Sequence, residues 1–239
     1  MKDDRGPKDQ GPKDQGPATA CLFHERCPSH NTLLRVPKGT TIFTKDQRTS
    51  SVFHIHSGIV GVFRTCGDGR ESIDSLVAAP HLIGVAGFVE IDGKRPVYHA
   101  GHARAITPIV YCKTRREDVW DLLDDRGMRA EIMNMICGTF FTMTILSAAS
   151  DFRLRVMIIL DLLVQSIGVQ DDQAGGIVIP GVTHDDIACV SGMTRPTVSR
   201  VLEEMEERGT ITIGRRHIVL RQPEVLRQEL QMTDAFEHP

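Results

Sequence analysis

The chain has 239 residues, 41% of them hydrophobic and 25% charged, with a formal net charge of −3. That length allows one large domain or two modest ones with cores of their own, and the mild acidity excludes nucleic-acid binding through global charge, so any such function must rest on local charge. No apolar run approaches the roughly 18 residues a membrane span needs, the first residues lack signal character, and six scattered cysteines suit reduced thiols better than a disulfide framework. The expectation is a soluble cytoplasmic protein with no membrane partner.

Residues 1–20 include DDRGPKDQGPKDQGP, in which GPKDQ occurs twice and apolar residues are almost absent. Such a segment cannot bury enough surface to offset chain entropy and is expected to be a disordered tail.

Residues 21–114 are expected to form a sensor domain of antiparallel β-barrel type. Short β-rich runs (TTIFT, SVFHIH, IVGVFRT, ESIDSLV, ARAITPIVYC) alternate with the turn signals PKG, HSG, GDGRE and DGKRP. Strands of this length and spacing indicate a barrel or sandwich, and the GDG before RESIDSL is a hairpin signal.

From Arg115 the pattern turns helical for about 50 residues, with a break expected at SAASD, where Asp151 can cap a second helix. Within 115–150, Met128, Ile132, Met135, Thr139, Thr142, Leu146 and Ala149 recur at alternating spacings of four and three. That seam resembles one half of a coiled coil and predicts a dimerisation helix, with Ile136, Phe140 and Met143 beside it available to pack on the barrel.

The last third, 151–239, reads as a helix over 152–167, a short strand GIVIPG, two helices and a β-ribbon TITIGRRHIVLR, the order of a winged helix. Thr183 opens the first of the two helices with Asp186 three positions later, a capping-box start. Gly192 then separates it from a second helix beginning near Arg195, which is a helix-turn-helix pattern.

The second helix divides cleanly by face. Val198, Val201, Leu202 and Met205 share the i, i+3, i+4, i+7 stripe of a buried face. At about 100° per residue, Pro196, Ser199, Arg200 and Glu203 point the other way, with Thr194 and Arg195 at the start and Thr197 and Glu204 at the flanks. Arginine can pair bidentately with guanine, and hydroxyls with a positive helix start can hold phosphates. Arg215 and Arg216 sit at the ribbon turn, where a wing would meet the DNA backbone, and every Lys or Arg after Lys113 is arginine. The candidate DNA-binding residues are therefore Thr183, Thr194, Arg195, Pro196, Thr197, Ser199, Arg200, Arg215 and Arg216.

The segment VTHDDIACVSGMTRPTVSRVLEEMEERGTI resembles the helix-turn-helix of the CRP/FNR family of bacterial transcription regulators, and RVPKGTTIF, FHIHSGIVGVF, GDGRESIDSL and HLIG resemble that family's cyclic-nucleotide-binding-type barrel. The fold class implied is α+β: an N-terminal jelly-roll barrel, a long dimerisation helix and a C-terminal winged helix-turn-helix. The resemblance implies a homodimer on a palindromic DNA site, an effector sensed by the barrel, and RNA polymerase as a further partner if the protein activates. In the family's recognition helix the positions of Arg195, Pro196, Ser199 and Arg200 contact DNA, and the second is usually a glutamate that accepts from cytosine N4. Proline near a helix start is tolerated because first-turn N–H groups lack intrahelical partners, so the helix should survive while that base reading changes.

Cyclic-nucleotide binders of the family carry a glycine–glutamate pair for the ribose and an arginine–serine pair for the phosphate. Here the first is Gly84-Val85, and RPVYHAGHARA holds no Arg-Ser pair, so cyclic AMP is not the expected effector. The FNR branch holds an iron–sulfur cluster with amino-terminal cysteines and one after the last barrel strand. Cys21, Cys27 and Cys112 occupy such places, but a cluster usually wants four thiolates, so His24 or His30 would have to complete the set. An iron–sulfur cluster, a thiol switch and inert cysteines all remain open.

His54 and His56 lie two apart on a strand and share one face. With Phe53 and Ile55 facing the core, the histidines are expected at the surface. A His-x-His pair on a barrel also begins the metal sites of cupin enzymes, which makes a metal-dependent cupin-like enzyme the alternative function. Those sites add a glutamate a few residues later, where IVGVF stands here. With no nucleophile–base motif or phosphate-binding glycine loop, a regulator rather than an enzyme is expected.

Overall fold

A computed structural model describes residues 33–65, 67, 71–88, 93, 94, 97–149 and 151–231. The tail over 1–20, Cys21, His24, Cys27, His30, Cys66 and the rest of the glycine turn beyond residue 67 lie outside the described residues.

The first half is two four-stranded antiparallel sheets. One has the order β1 (Leu34–Val36), β8 (Ile109–Arg115), β3 (Ser51–Ser57), β6 (Leu82–Ile83); the other is β2 (Thr41–Phe43), β7 (His102–Ala105), β4 (Ile59–Thr65), β5 (Glu71–Ala78). The sheets face one another as a flattened jelly roll, and no ladder among the described residues closes them into a barrel. Alternate residues from both sheets fill the space between them: Phe43, Phe53, Ile55, Val60, Val77, Ala103, Ile109 and Tyr111. The run ARAITPIVYC, expected as one strand, forms two (β7 and β8). Pro108 has no N–H to donate to a ladder, and the Thr107 side-chain oxygen beside it accepts instead from the Ile59 amide at 2.9 Å.

The helical stretch contains a second break beyond the one expected at SAASD. Helix α1 (Arg116–Leu122) stops before Asp125, whose carboxylate accepts from the Met128 amide and caps α2 (Arg126–Ala148). Asp151 caps α3 (Phe152–Ile167) in the same way through Arg153, as expected.

Helix α2 is apolar on two faces, so by length and composition it is long and apolar enough to cross a membrane, contrary to the expectation from the apolar runs. One face carries Met128, Ile132 and Met135, which pack on Val52, Leu82, Val119 and Leu122. Leu146 and Ala149, with Ile145 beside them, join a core shared with α3. Thr139 and Thr142 are half-buried beside them. The seam expected to join two chains is thus largely occupied inside the protomer: its heptad spacing is real, but the sheet and α1 cover one end and the core shared with α3 covers the other. The opposite face leaves Met133, Phe140 and Phe141 exposed, Phe140 by 75%. Gly138 lets α2 approach the sheet, because a Cβ there would overlap the His81 imidazole.

The last third follows the expected order, with β9 (Val169–Asp171), β10 (Gly176–Pro180), α4 (His184–Ser191), α5 (Arg195–Glu207), β11 (Ile211–Gly214) and β12 (His217–Leu220), plus an unforeseen α6 (Pro223–Gln231). Its four strands form one antiparallel sheet, β11-β12-β10-β9. A single apolar cluster runs from the sheet residues Ile59, Phe63 and Leu76 and from Ile106, just after β7, through α3 to Ile187, Val198, Leu202 and Ile218. The two halves of the chain therefore share a core.

Candidate nucleic-acid interface and jelly-roll cavity

Helices α4 and α5 are built by local rules legible in their sequence. Thr183 and Asp186 form a reciprocal capping box: the Thr183 hydroxyl accepts from the Asp186 amide, and the Asp186 carboxylate accepts from the Thr183 amide at 2.7 Å. Lys38, in the turn between β1 and β2, makes an ion pair with that same carboxylate, so a loop of the first half of the chain touches the start of α4. Gly192 closes α4 at φ 67°, in the left-handed region where a side chain would be strained.

Thr194 caps α5 through the Thr197 amide, and Pro196 lies in the first turn, where its missing N–H leaves no intrahelical bond broken. Val198, Val201, Leu202 and Met205 are all buried, and all but Val201 fully so. The opposite face carries exposed Arg195, Pro196 and Arg200. Arg195 stands 3.5 Å from Asp185 and Arg200 4.0 Å from Glu204, with all four side chains at least half exposed. Pairs so long and so wet contribute little and release their arginines cheaply.

Ser199 is less free than the sequence implied. Its hydroxyl is hydrogen-bonded to His184 Nδ1 at 2.8 Å, which ties α5 to the first turn of α4. The location of His184 in the capping box is the one sequence signal that bears on that contact. The Thr183 hydroxyl is similarly engaged, at 2.6 Å from Asp186.

The ribbon turn Arg215-Arg216 projects two exposed guanidinium groups. Arg216 sits at φ 65°, rare for a residue with a side chain. Its carbonyl is held by the Gly181 amide at 2.8 Å. The Ile213 amide donates to Glu206 at 2.6 Å, which fixes the ribbon against α5. The result is an outward helix face beside a basic wing on a rigid frame.

In the first half of the chain, a cavity of about 250 Å³ opens between the sheets and α2, lined by Phe43, Asp74, Gly84, Val85, His99 and Thr139 among others. Among the described residues no arginine or lysine lines it. Asp74 lines it as one partner of a 2.8 Å ion pair with Arg64, and burial lowers the pKa of the His99 imidazole, which disfavours its charged form. The ring is stacked on Phe43 at 3.8 Å. A cyclic phosphodiester would find no arginine or lysine cation among the lining groups.

His54 and His56 point away from the inter-sheet core, as the strand pattern implied, but they are not at the surface: they are 3% and 9% exposed. Strand alternation gives direction, not cover. Val52, next on the same face, packs under α1 and α2. A cupin-type site inside the jelly roll is therefore not formed by this pair, whose neighbours Phe53 and Ile55 fill that interior. Cys112 is fully buried and pairs across the ladder with His54; Cys21 and Cys27 lie outside the described residues.

Two domain families match the sequence: the cyclic nucleotide-binding domain over residues 33–126 and the Crp-like helix-turn-helix domain over residues 156–229. The chain is 27% identical over 198 residues to the global nitrogen regulator of Synechococcus elongatus, covering 80% of this chain and 86% of that one. Among solved structures, a CRP-family transcriptional regulator from Thermus thermophilus superposes with a TM-score of 0.64 at 20% identity, over 82% of this chain and 96% of that one. FixK2 from Bradyrhizobium japonicum gives 0.62 at 22% identity, over 82% and 96%.

Proposed function

Because this chain belongs to the CRP/FNR family of bacterial transcription regulators, we propose that it works in the cytoplasm as a homodimer, binding a two-fold-symmetric promoter site through α5 under the control of an effector or redox signal received by the jelly roll. The observation that carries this reading is the division of α5: one face wholly buried, the other presenting Arg195, Pro196 and Arg200 beside the Arg215-Arg216 wing. An arginine face of that width suits base edges in a major groove, and the wing arginines suit phosphates. Thr194 and Thr197 flank the positive helix start and suit a phosphate as well. Ser199 contributes mainly by tying α5 to the first turn of α4, and Thr183 by capping α4.

Dimer formation draws on the outward face of α2. Met133, Cys137, Phe140 and Thr144 recur there at spacings of four, three and four, all exposed in the protomer, and a two-stranded pair would bury them. If the protein activates, RNA polymerase is its further partner.

Pro196 offers no acceptor, so the base pair that glutamate would read is met by an apolar contact, such as one with a thymine methyl. Binding-site selection on random DNA should yield a palindrome without preference for cytosine at that position. Strong enrichment for the glutamate-read pair would overturn this assignment. Calorimetry with cyclic AMP should detect no specific binding, since no arginine or lysine among the described residues lines the cavity and burial disfavours charge on His99, where a phosphate needs a cation.

A further inference from the structure

We propose that His54, His56 and Cys112 form a binding site for a zinc-type divalent transition-metal ion, set in the sheet beneath α1 and α2. The three side chains each offer one ligand atom, and these atoms all lie within 4.8 Å of one another. A tetrahedral zinc ion with bonds of about 2.0–2.3 Å holds its ligands roughly 3.5 Å apart, so rotation at χ1 and χ2 closes the difference.

The backbone arranges the trio. His54 is paired across the ladder with Cys112, which puts both side chains on one face of adjacent strands. The register then slips between Ile55 and Ser57, leaving His56 as the extra residue of a β-bulge. Bulges re-aim side chains, and here the His56 ring comes to 4.4 Å from that of His54, centroid to centroid. Without the slip, His56 would stand beside the next residue pair rather than over the first.

A second observation points to a ligand. His56 is nine-tenths buried, and its Nε2 has no hydrogen-bond partner. Leaving such a buried atom unsatisfied is unfavourable, and a metal bond would remove that cost. Two imidazoles and one thiolate are the donor set of a borderline-soft ion, not of calcium or magnesium. Binding is a ligand exchange without redox change: Cys112 loses its thiol proton to solvent as the sulfur–metal bond forms, and the ion sheds water. Three protein ligands leave one position of a tetrahedral ion for water. His81, close by, is committed to the Ala78 carbonyl through Nδ1 at 2.9 Å.

The test uses the full-length, reduced protein. Equilibrium dialysis against Zn²⁺ should give one tightly bound ion per protomer, and X-ray absorption should show one sulfur with nitrogen or oxygen neighbours. Co²⁺ in its place should produce a thiolate-to-metal charge-transfer band. Cys112→Ser and His56→Gln should each lower affinity by more than the roughly 10–100-fold typical of losing an outer-shell partner, while a Cys21→Ser/Cys27→Ser double variant binds as before. If Cys112→Ser fails to fold, His56→Gln and the absorption spectrum of the unaltered protein decide. Several sulfurs around the ion, no sulfur at all, or an adventitious ion lost on dialysis would each overturn the proposal.

Discussion

Arg200→Ala should weaken binding to the palindromic site by at least about 30-fold. A bidentate arginine–guanine pair contributes roughly 1–3 kcal/mol of discrimination, and a symmetric dimer loses it twice, so about 2–6 kcal/mol is at stake, with each 1.4 kcal/mol worth a factor of ten. The cost of freeing Arg200 in the unbound protein is small, because its ion pair to Glu204 is 4.0 Å long and exposed on both sides. Electrophoretic retardation at several salt concentrations separates two roles. A base contact leaves the salt slope nearly unchanged and relaxes specificity at one base pair, whereas a phosphate contact lowers the slope by about one per arginine. An affinity unchanged by the substitution would remove Arg200 from the interface.

Phe140→Glu should convert the dimer to a monomer. The side chain is 75% exposed in the protomer, and burying a phenylalanine is worth about 1.5–3 kcal/mol. Two copies at a symmetric interface therefore lose roughly 3–6 kcal/mol, before the repulsion of two carboxylates is counted. Light scattering should find a monomer, and circular dichroism an intact fold, while affinity for the palindrome collapses because each half-site must bind alone. Ile132→Ala is the matched control. That residue is buried against the sheet side of the helix, so its truncation should lower thermal stability by about 2–5 kcal/mol and leave the oligomeric state alone. If Phe140→Glu stays dimeric, the dimer does not form through the outward face of α2.

These two helices mark what is legible in the sequence and what is not. Helix α5 has one apolar stripe and a polar remainder, so its period alone identifies Val198, Val201, Leu202 and Met205 as buried. Its cap can be read from residue type, Thr194 at its start, as can the Thr183–Asp186 box that opens α4. Helix α2 is apolar on two faces. A heptad spacing can be traced along the face holding Met128 and Ile132, and nothing in the spacing says whether the partner is the same chain or another. His54 and His56 show the same limit on a strand, where alternation indicates the side but not the helices above it. The slip that turns His56 toward His54 depends on the pairing of β3 with β8, a long-range fact. Pro108 is a different case, a signal within the sequence itself, for it explains why β7 and β8 are separate.

The apolar cluster shared by Ile59, Phe63, Leu76 and Ile106 with α3, α4 and α5 bears on how the chain melts. Neither half can lose its order without exposing the side of the core that the other supplies, so heat should be absorbed in one cooperative peak rather than two. A winged helix cut away at residue 150 would carry its part of that surface bare, and such patches drive aggregation. The fragment boundary that domain arithmetic suggests is therefore a poor place to divide this protein.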